Sequence, residues 1–165
     1  MIAECREYLI DKVSKAGIKT KIKTTTKDLK ASNESHIGAL LFEDEEFERD
    51  IKKTNYADEK GIKRKRTKIF ARKTSFSVVI GEYEQVKCEL IFEEFMKLIG
   101  TGMYIDGNFV EISPKKAAWF DEKDSILKAQ VAVQILIEID GGIYKDTEFK
   151  KVNDIGVEVE IQKEG

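Results

Sequence analysis

The stretch Ile69–Ile99, IFARKTSFSVVIGEYEQVKCELIFEEFMKLI, changes its hydrophobic period partway along, and that change decides the fold. Up to Ile80 the period is two. Phe76, Val78 and Ile80 fall on one face and Ser75, Ser77 and Val79 on the other, which is the pattern of a strand. Gly81 is expected to end it. From about Tyr83 to Ile99 the spacing becomes three and four, with Cys88, Phe92, Phe95 and Ile99 along one side of a helix and Ile91 and Leu98 flanking them. Leu90 and Met96 widen the apolar surface. A helix this apolar requires cover on more than one side, from a sheet plus another helix or from a neighbouring subunit. Glu93 and Lys97 stand in the favourable i,i+4 orientation, and Gly100 takes the expected C′ position.

Outward from this unit, residues 2–16 read as a second main helix, with Ile2, Cys5, Leu9, Val13 and Ala16 on one stripe and Gly17 beyond its end. Ile18–Lys23 alternates lysines with apolar residues and predicts a half-exposed strand. His36–Phe42 reads as a strand. Met103–Ile105 and Phe109–Ile112 read as a hairpin around Asp106-Gly107, because a type I′ turn needs positive φ at both central residues. Pro114 is expected to close that hairpin, and residues 115–125 to form an irregular connector or short helical turn. Val131, Val133, Ile135, Ile137 and Ile139 alternate along a long strand, Gly141-Gly142 is expected to turn the chain, and residues 155–161 to add a closing strand. The expected fold class is α+β (mixed α/β): one largely antiparallel or mixed sheet, two main helices packed on it, and a long charged hairpin or loop. At 165 residues the default is a single domain, 1–165, with a sizeable core and no need of a disulfide or metal.

The charge pattern is the second feature. Residues 49–73 contain eleven Lys or Arg against three acids, a net +8, whereas the rest of the chain holds 18 basic and 28 acidic residues. Just upstream stands the opposite block, Glu43, Asp44, Glu45 and Glu46, followed by Glu48. Three readings of Lys63, Arg64, Lys65, Arg66 and Lys68 stand side by side. They form a solvated hairpin, a protein-docking surface, or a phosphate-binding contact to nucleic acid flanked by Tyr56 and Phe70. Docking leads because the acidic block of the same chain offers a complementary surface in a symmetric assembly. The overall charge of −2 speaks against a dedicated nucleic-acid binder.

The residue types that carry chemistry are sparse. His36 is the lone histidine and has no sequence-proximal nucleophile or acid, so it reads as structural. One His and two distant Cys have no zinc-ligand spacing, and the acidic run lacks the alternating ligands and central Gly of a calcium loop. Gly100-Thr101-Gly102 follows a helix and does not precede one, unlike a phosphate loop. Cys5 and Cys88 read as buried thiols, which suits a reducing compartment. No catalytic, metal or cofactor-binding residue is therefore assigned, no cofactor is expected, and the chain reads as a non-enzyme. No apolar run has signal-peptide or membrane-spanning length, so no membrane partner is expected.

The order of an N-terminal helix, the strand His36–Phe42, the acidic-aromatic Glu43–Arg49, a basic excursion at about 49–73, and Thr74–Ile80 before the helix Tyr83–Ile99 resembles the tail-terminator proteins of tailed bacteriophages and related phage-tail-like particles. Segments 126–140 and 155–161 fit the same small domain. The resemblance implies a structural protein that forms a homohexameric ring on the head-proximal end of the tail tube, ends tube growth and offers a surface to head, neck or collar. It implies assembly in a bacterial host cytoplasm and residence in a virion or a bacteriocin-like particle, with tail tube, sheath, neck or head-connector proteins as partners. Another tail or neck component is the alternative within this likeness, and a small nucleic-acid-associated protein the alternative outside it.

Overall fold

The computed structural model describes residues 1–121, 129 and 131–149. In chain order the elements are α1 (Ile2–Lys15), α2 (Thr26–Ala31), β1 (Ile37–Arg49), β2 (Lys53–Ala57), β3 (Lys63–Glu82), α3 (Gln85–Leu98), β4 (Gly102–Ile105), β5 (Asn108–Asp121) and β6 (Val131–Glu148). The strands make one antiparallel sheet in the order β1-β3-β6-β5-β4, with β2 also paired to β3. The fold is thus the expected mixed α/β class, with helices packed on an antiparallel sheet.

Alternation along the strands builds the main core. Val78 pairs with Leu40 on one side and Ile135 on the other, and the next pairs on this face are Phe76 with Ile137 and Ile80 with Val133. Against this face lie Cys5, Leu9 and Val13 of α1 and Cys88, Ile91 and Phe95 of α3, all buried. Burial pushes both thiols up, to about 11, so neither is a reactive thiolate at neutral pH. Phe92 sits at the margin, edge-on to Trp119 at 5.5 Å between ring centroids. At the end of α1, Gly17 has φ +127, a conformation that L side chains rarely adopt, which suits the C′ position.

The connection from α1 crosses the β1 edge. Ile18 and Ile22 are buried over Gly38, where a Cβ would lie within 2.9 Å of both side chains. The expected strand at 18–23 is therefore an extended plug, and only Lys23 makes a bridge, parallel to Ala39. Its isoleucines fill space above β1 and do not continue the ladder. The chain then forms α2, which sequence periodicity missed because it has six residues and buries only Leu29. Thr25 caps it by accepting from the Asp28 N–H at 3.1 Å. Leu29 covers Ile37, Ala39 and Val79 on the opposite sheet face.

Two expected breaks are continuous strand. β5 runs through Pro114 and the expected connector as far as Asp121, with a register shift between Pro114 and Lys116. Proline lacks an N–H, and the bulge absorbs that loss. Residues 122–125 of that connector, residues 126–128 and 130 of the expected closing region, and the expected strand 155–161 lie outside the described residues. Gly141-Gly142 does not turn the chain; β6 passes straight through to Glu148, paired to Arg72 and Ala71. Here the glycines serve close approach. A Cβ on Gly141 would come within 2.5 Å of Met1 Sδ, and one on Gly142 within 2.6 Å of Lys68 Cε. Gly81 likewise does not end β3, which continues to Glu82. The Asp106-Gly107 turn is as expected, with φ of 49° and 75°.

Candidate interaction surface on the charged arm

The basic excursion is ordered strand that projects beyond the helices. β1 and β2 follow one another along a single edge of β3, opposite Phe70–Gly81 and Lys63–Thr67 respectively. Between them Asp50 N–H donates to Ile69 O at 3.1 Å and Lys68 N–H to Lys52 O at 2.8 Å, so pairing barely lapses. β6 lines the other edge of β3 down to Arg64↔Glu148. A strand of 20 residues extends on the order of 60 Å. Its Thr74–Glu82 half belongs to the core, and its Lys63–Lys73 half is the spine of a three-stranded arm.

The two glycines identify the faces of this arm. Gly141 faces Met1 and therefore the α1 side, so Gly142 faces away from it, together with Lys68 and Tyr144. The Arg66 guanidinium lies over the Tyr144 ring at 5.9 Å and over the Tyr56 ring at 4.8 Å, placing it on this outer face. By alternation Lys63 and Lys65 lie on the opposite, helix-side face, as does Lys145 between Tyr144 and Asp146. Cross-strand pairing adds Lys53, opposite Thr67.

The run Lys63-Arg64-Lys65-Arg66 thus separates into two chemistries. Arg64 Nε donates to Asp58 at 2.7 Å, and its Nη1 lies 3.2 Å from Glu148. Arg66 makes a two-pronged contact to Asp146, 2.7 Å for each prong, and donates to Asp106 O at 2.8 Å. That last bond ties the arm to the β4–β5 turn. These arginines hold the Asp58 carboxyl below its usual range and the Asp146 carboxyl down to about 2. Tyr56 donates its hydroxyl proton to Asp146 at 2.9 Å, which raises its own pKa. Lys68 reaches Asp50 at 3.8 Å. By contrast, Lys53, Lys63, Lys65 and Lys145 have no ion pair among the described residues.

The acidic block is divided in the same way, by a bulge. Register shifts between Phe42 and Asp44, so Glu43 is the extra residue. Glu45 then faces the helix side beside Thr74, where it accepts from Thr74 Oγ1 and Arg72 Nε, each at 2.8 Å. Asp44, Glu46 and Glu48 are left on the outer face, exposed, opposite Ser75, Lys73 and Ala71. Phe47 and Phe70 stack edge-on at 6.5 Å on the helix side, with Arg49 and Arg72 over their rings.

Of the sequence-nominated residues, Lys63, Lys65, Glu43, Asp44 and Glu46 remain available at the surface, while Arg64, Arg66 and Glu45 are engaged within the chain. Sequence reasoning missed Lys53 and Lys145 as members of the lysine face. It also missed Asp58, Asp146 and Asp106 as the partners that neutralise the arginines. Residues 143–148, Ile-Tyr-Lys-Asp-Thr-Glu, show no alternation that would have placed Lys145 in a strand.

His36 is placed as a structural residue. Its Nε2 accepts the Lys19 N–H at 3.0 Å, so its Nδ1 carries the proton toward Glu82. Glu82 is 1% exposed, also accepts the Tyr83 N–H at 3.2 Å, and lies 3.3 Å from Lys87 Nζ. Both imidazole nitrogens are used in tying the α1–α2 connection to the end of β3. Among the described residues no group of three or more His, Cys, Asp or Glu is arranged to hold a metal ion, and no helix is long and apolar enough to cross a membrane.

No family model matches the sequence, and no curated protein matches it. Among solved structures the chain is similar to the sheath/tube terminator of an extracellular contractile injection system (PVC) in its extended state, with a TM-score of 0.56 at 10% identity. The match covers 99% of this chain and 64% of that terminator, so the chain spans less than two thirds of its length. At that identity the likeness is one of fold.

Proposed function

We propose that this chain is a structural, non-enzymatic subunit of a phage tail or phage-tail-like particle. It acts as one domain that forms a ring on the head-proximal end of the tail tube, ends tube growth, and presents a docking surface to neck, collar or head proteins. The fold likeness to a sheath/tube terminator, extending over 99% of the chain, carries this reading. Six copies per ring and assembly in a bacterial cytoplasm accompany it. Such a role requires no bond chemistry. It requires one surface that satisfies the tube end and another that does not template further growth. The engaged nitrogens of His36 and the raised thiols of Cys5 and Cys88 are compatible with that.

The test is electron microscopy of polymerising tail tubes with and without the purified chain. The expected result is shorter tubes of narrowed length distribution with density on one end only, at six copies per end. Unchanged tube lengths and bare ends would refute the role, and a stoichiometry other than six would refute the hexamer.

A second reading is supported by the lysine face: Lys53, Lys63, Lys65 and Lys145 lie on one side of the arm. Nucleic-acid binding through it would weaken steeply with salt. The pairing of Arg64 and Arg66 within the chain ranks it second, because the two side chains best suited to bidentate phosphate contact are already bound to carboxylates.

A further inference from the structure

The unpaired charges of the two blocks lie on opposite faces of one sheet. We infer that the helix-side lysine face of the distal arm, Lys53, Lys63, Lys65 and Lys145, docks onto the outer acidic face, Asp44, Glu46 and Glu48, of a second copy of this chain. The inference rests on the ring reading above and names its contact surface.

Three observations support it. The lysines and these acids have no ion pairs among the described residues, whereas their neighbours Arg64, Arg66, Arg72 and Glu45 are satisfied within the chain. What remains unpaired is therefore two complementary strips, exposed except at the half-buried Lys65. Second, both strips are built on strands, so Lys63 and Lys65, like Asp44, Glu46 and Glu48, repeat at roughly 6.6 Å. Equal pitch allows successive charges to meet in register. Third, the strips occupy opposite faces and are displaced along β3, Lys63 and Lys65 at one end and the partners of the acids, Ala71, Lys73 and Ser75, nearer the core. Because the strips face away from each other, one copy cannot offer both to the same partner copy, as a two-fold contact requires. They suit a heterologous, front-to-back contact, which gives a ring where the rotation between copies closes. The bulge at Glu43 places Asp44, Glu46 and Glu48 outward and removes Glu45 from the strip, and alternation does the same for lysine and arginine.

The experiment is a reciprocal charge reversal followed by sedimentation at low ionic strength. One variant carries Lys53→Glu, Lys63→Glu, Lys65→Glu and Lys145→Glu; the other carries Asp44→Lys, Glu46→Lys and Glu48→Lys. Circular dichroism and thermal melting establish that each is folded. Each variant alone is expected to self-associate about tenfold or more weakly than the wild type. An equimolar mixture is expected to recover association with alternating composition, because each reversed arm then meets a reversed acidic face. A wild-type chain that stays monomeric at its solubility limit overturns the inference. So does either variant associating as the wild type does, or a mixture of folded variants that does not recover. Loss of DNA binding on lysine reversal with self-association unchanged also overturns it, in favour of a nucleic-acid contact. If reversal and recovery behave as expected but the wild type leaves tube length unchanged, the contact stands and the terminator reading falls.

Discussion

Both halves of β3 lie between strands, with β6 along one side throughout and β1 then β2 along the other, yet their chemistry is opposite. Thr74–Glu82 is buried between layers, with Phe76, Val78 and Ile80 at 0% exposure. Lys63–Lys73 has no buried residue and is held by ion pairs, stacked rings and ladder hydrogen bonds. Hydrophobic burial dominates stability, whereas exposed pairs contribute little each. The core half therefore carries most of the stability of the fold, and the arm half contributes little to it.

The sharpest break in this comparison is expected from Phe95→Ala. Phe95 is fully buried under α3, and truncation should cost about 3–5 kcal/mol, read from denaturant unfolding. A loss below about 1 kcal/mol would mean that α3 is not part of the load of the core. His36→Ala should follow, at about 2–3 kcal/mol, because Glu82 would lose its main partner while buried. Adding Glu82→Gln should recover part of that loss in a double-mutant cycle, and a strictly additive double variant would show the two are not coupled.

Arm substitutions should be weaker and local. Arg66→Ala removes the Asp146 and Asp106 contacts and should cost at most about 1 kcal/mol globally. Faster amide exchange confined to β2, Lys63–Lys68 and Tyr144–Glu148 is the expected signature, with core amides unchanged. The same pair sets an acid limit for the arm. Because the Asp146 carboxyl is held down to about 2, its contribution is complete above the ordinary carboxylate value of ~3.9 and is lost as pH falls toward about 2. Arm amides should accordingly lose protection in that window, and Arg66→Ala should remove the step. The smallest effect belongs to Lys63→Ser with Lys65→Ser, within about 0.5 kcal/mol of wild type in stability. A larger loss would mean that the lysine face is engaged within the folded chain.

Most of the core was legible because it depends on local period. The face carrying Phe76, Val78 and Ile80, the helix built around Cys88 and Phe95, and the Asp106-Gly107 turn each rest on a few consecutive residues. Errors fell where a distant strand overrode a local signal. Pro114 and Gly141-Gly142 have the composition of breaks, yet β5 continues through the proline against β6, and β6 continues through the glycines against β3. The short α2 had too few apolar residues to show a period.

The sequence by itself determined the strand and helix periods, the excess of positive charge over residues 49–73 and the acidic block before it. These are properties of neighbours in the chain. Only the tertiary structure decided which charges are available. Arg66 finds Asp146 eighty residues away, Arg72 finds Glu45 twenty-seven residues away, and the Glu43 bulge selects which acids face outward. Strand pairing brings together residues that no local pattern relates, and alternation across the pleat then places adjacent residues in different environments. The run Lys63-Arg64-Lys65-Arg66 is uniform as sequence, but in the sheet its arginines brace the arm through carboxylates, and its lysines lie on the other face with no ion pair among the described residues.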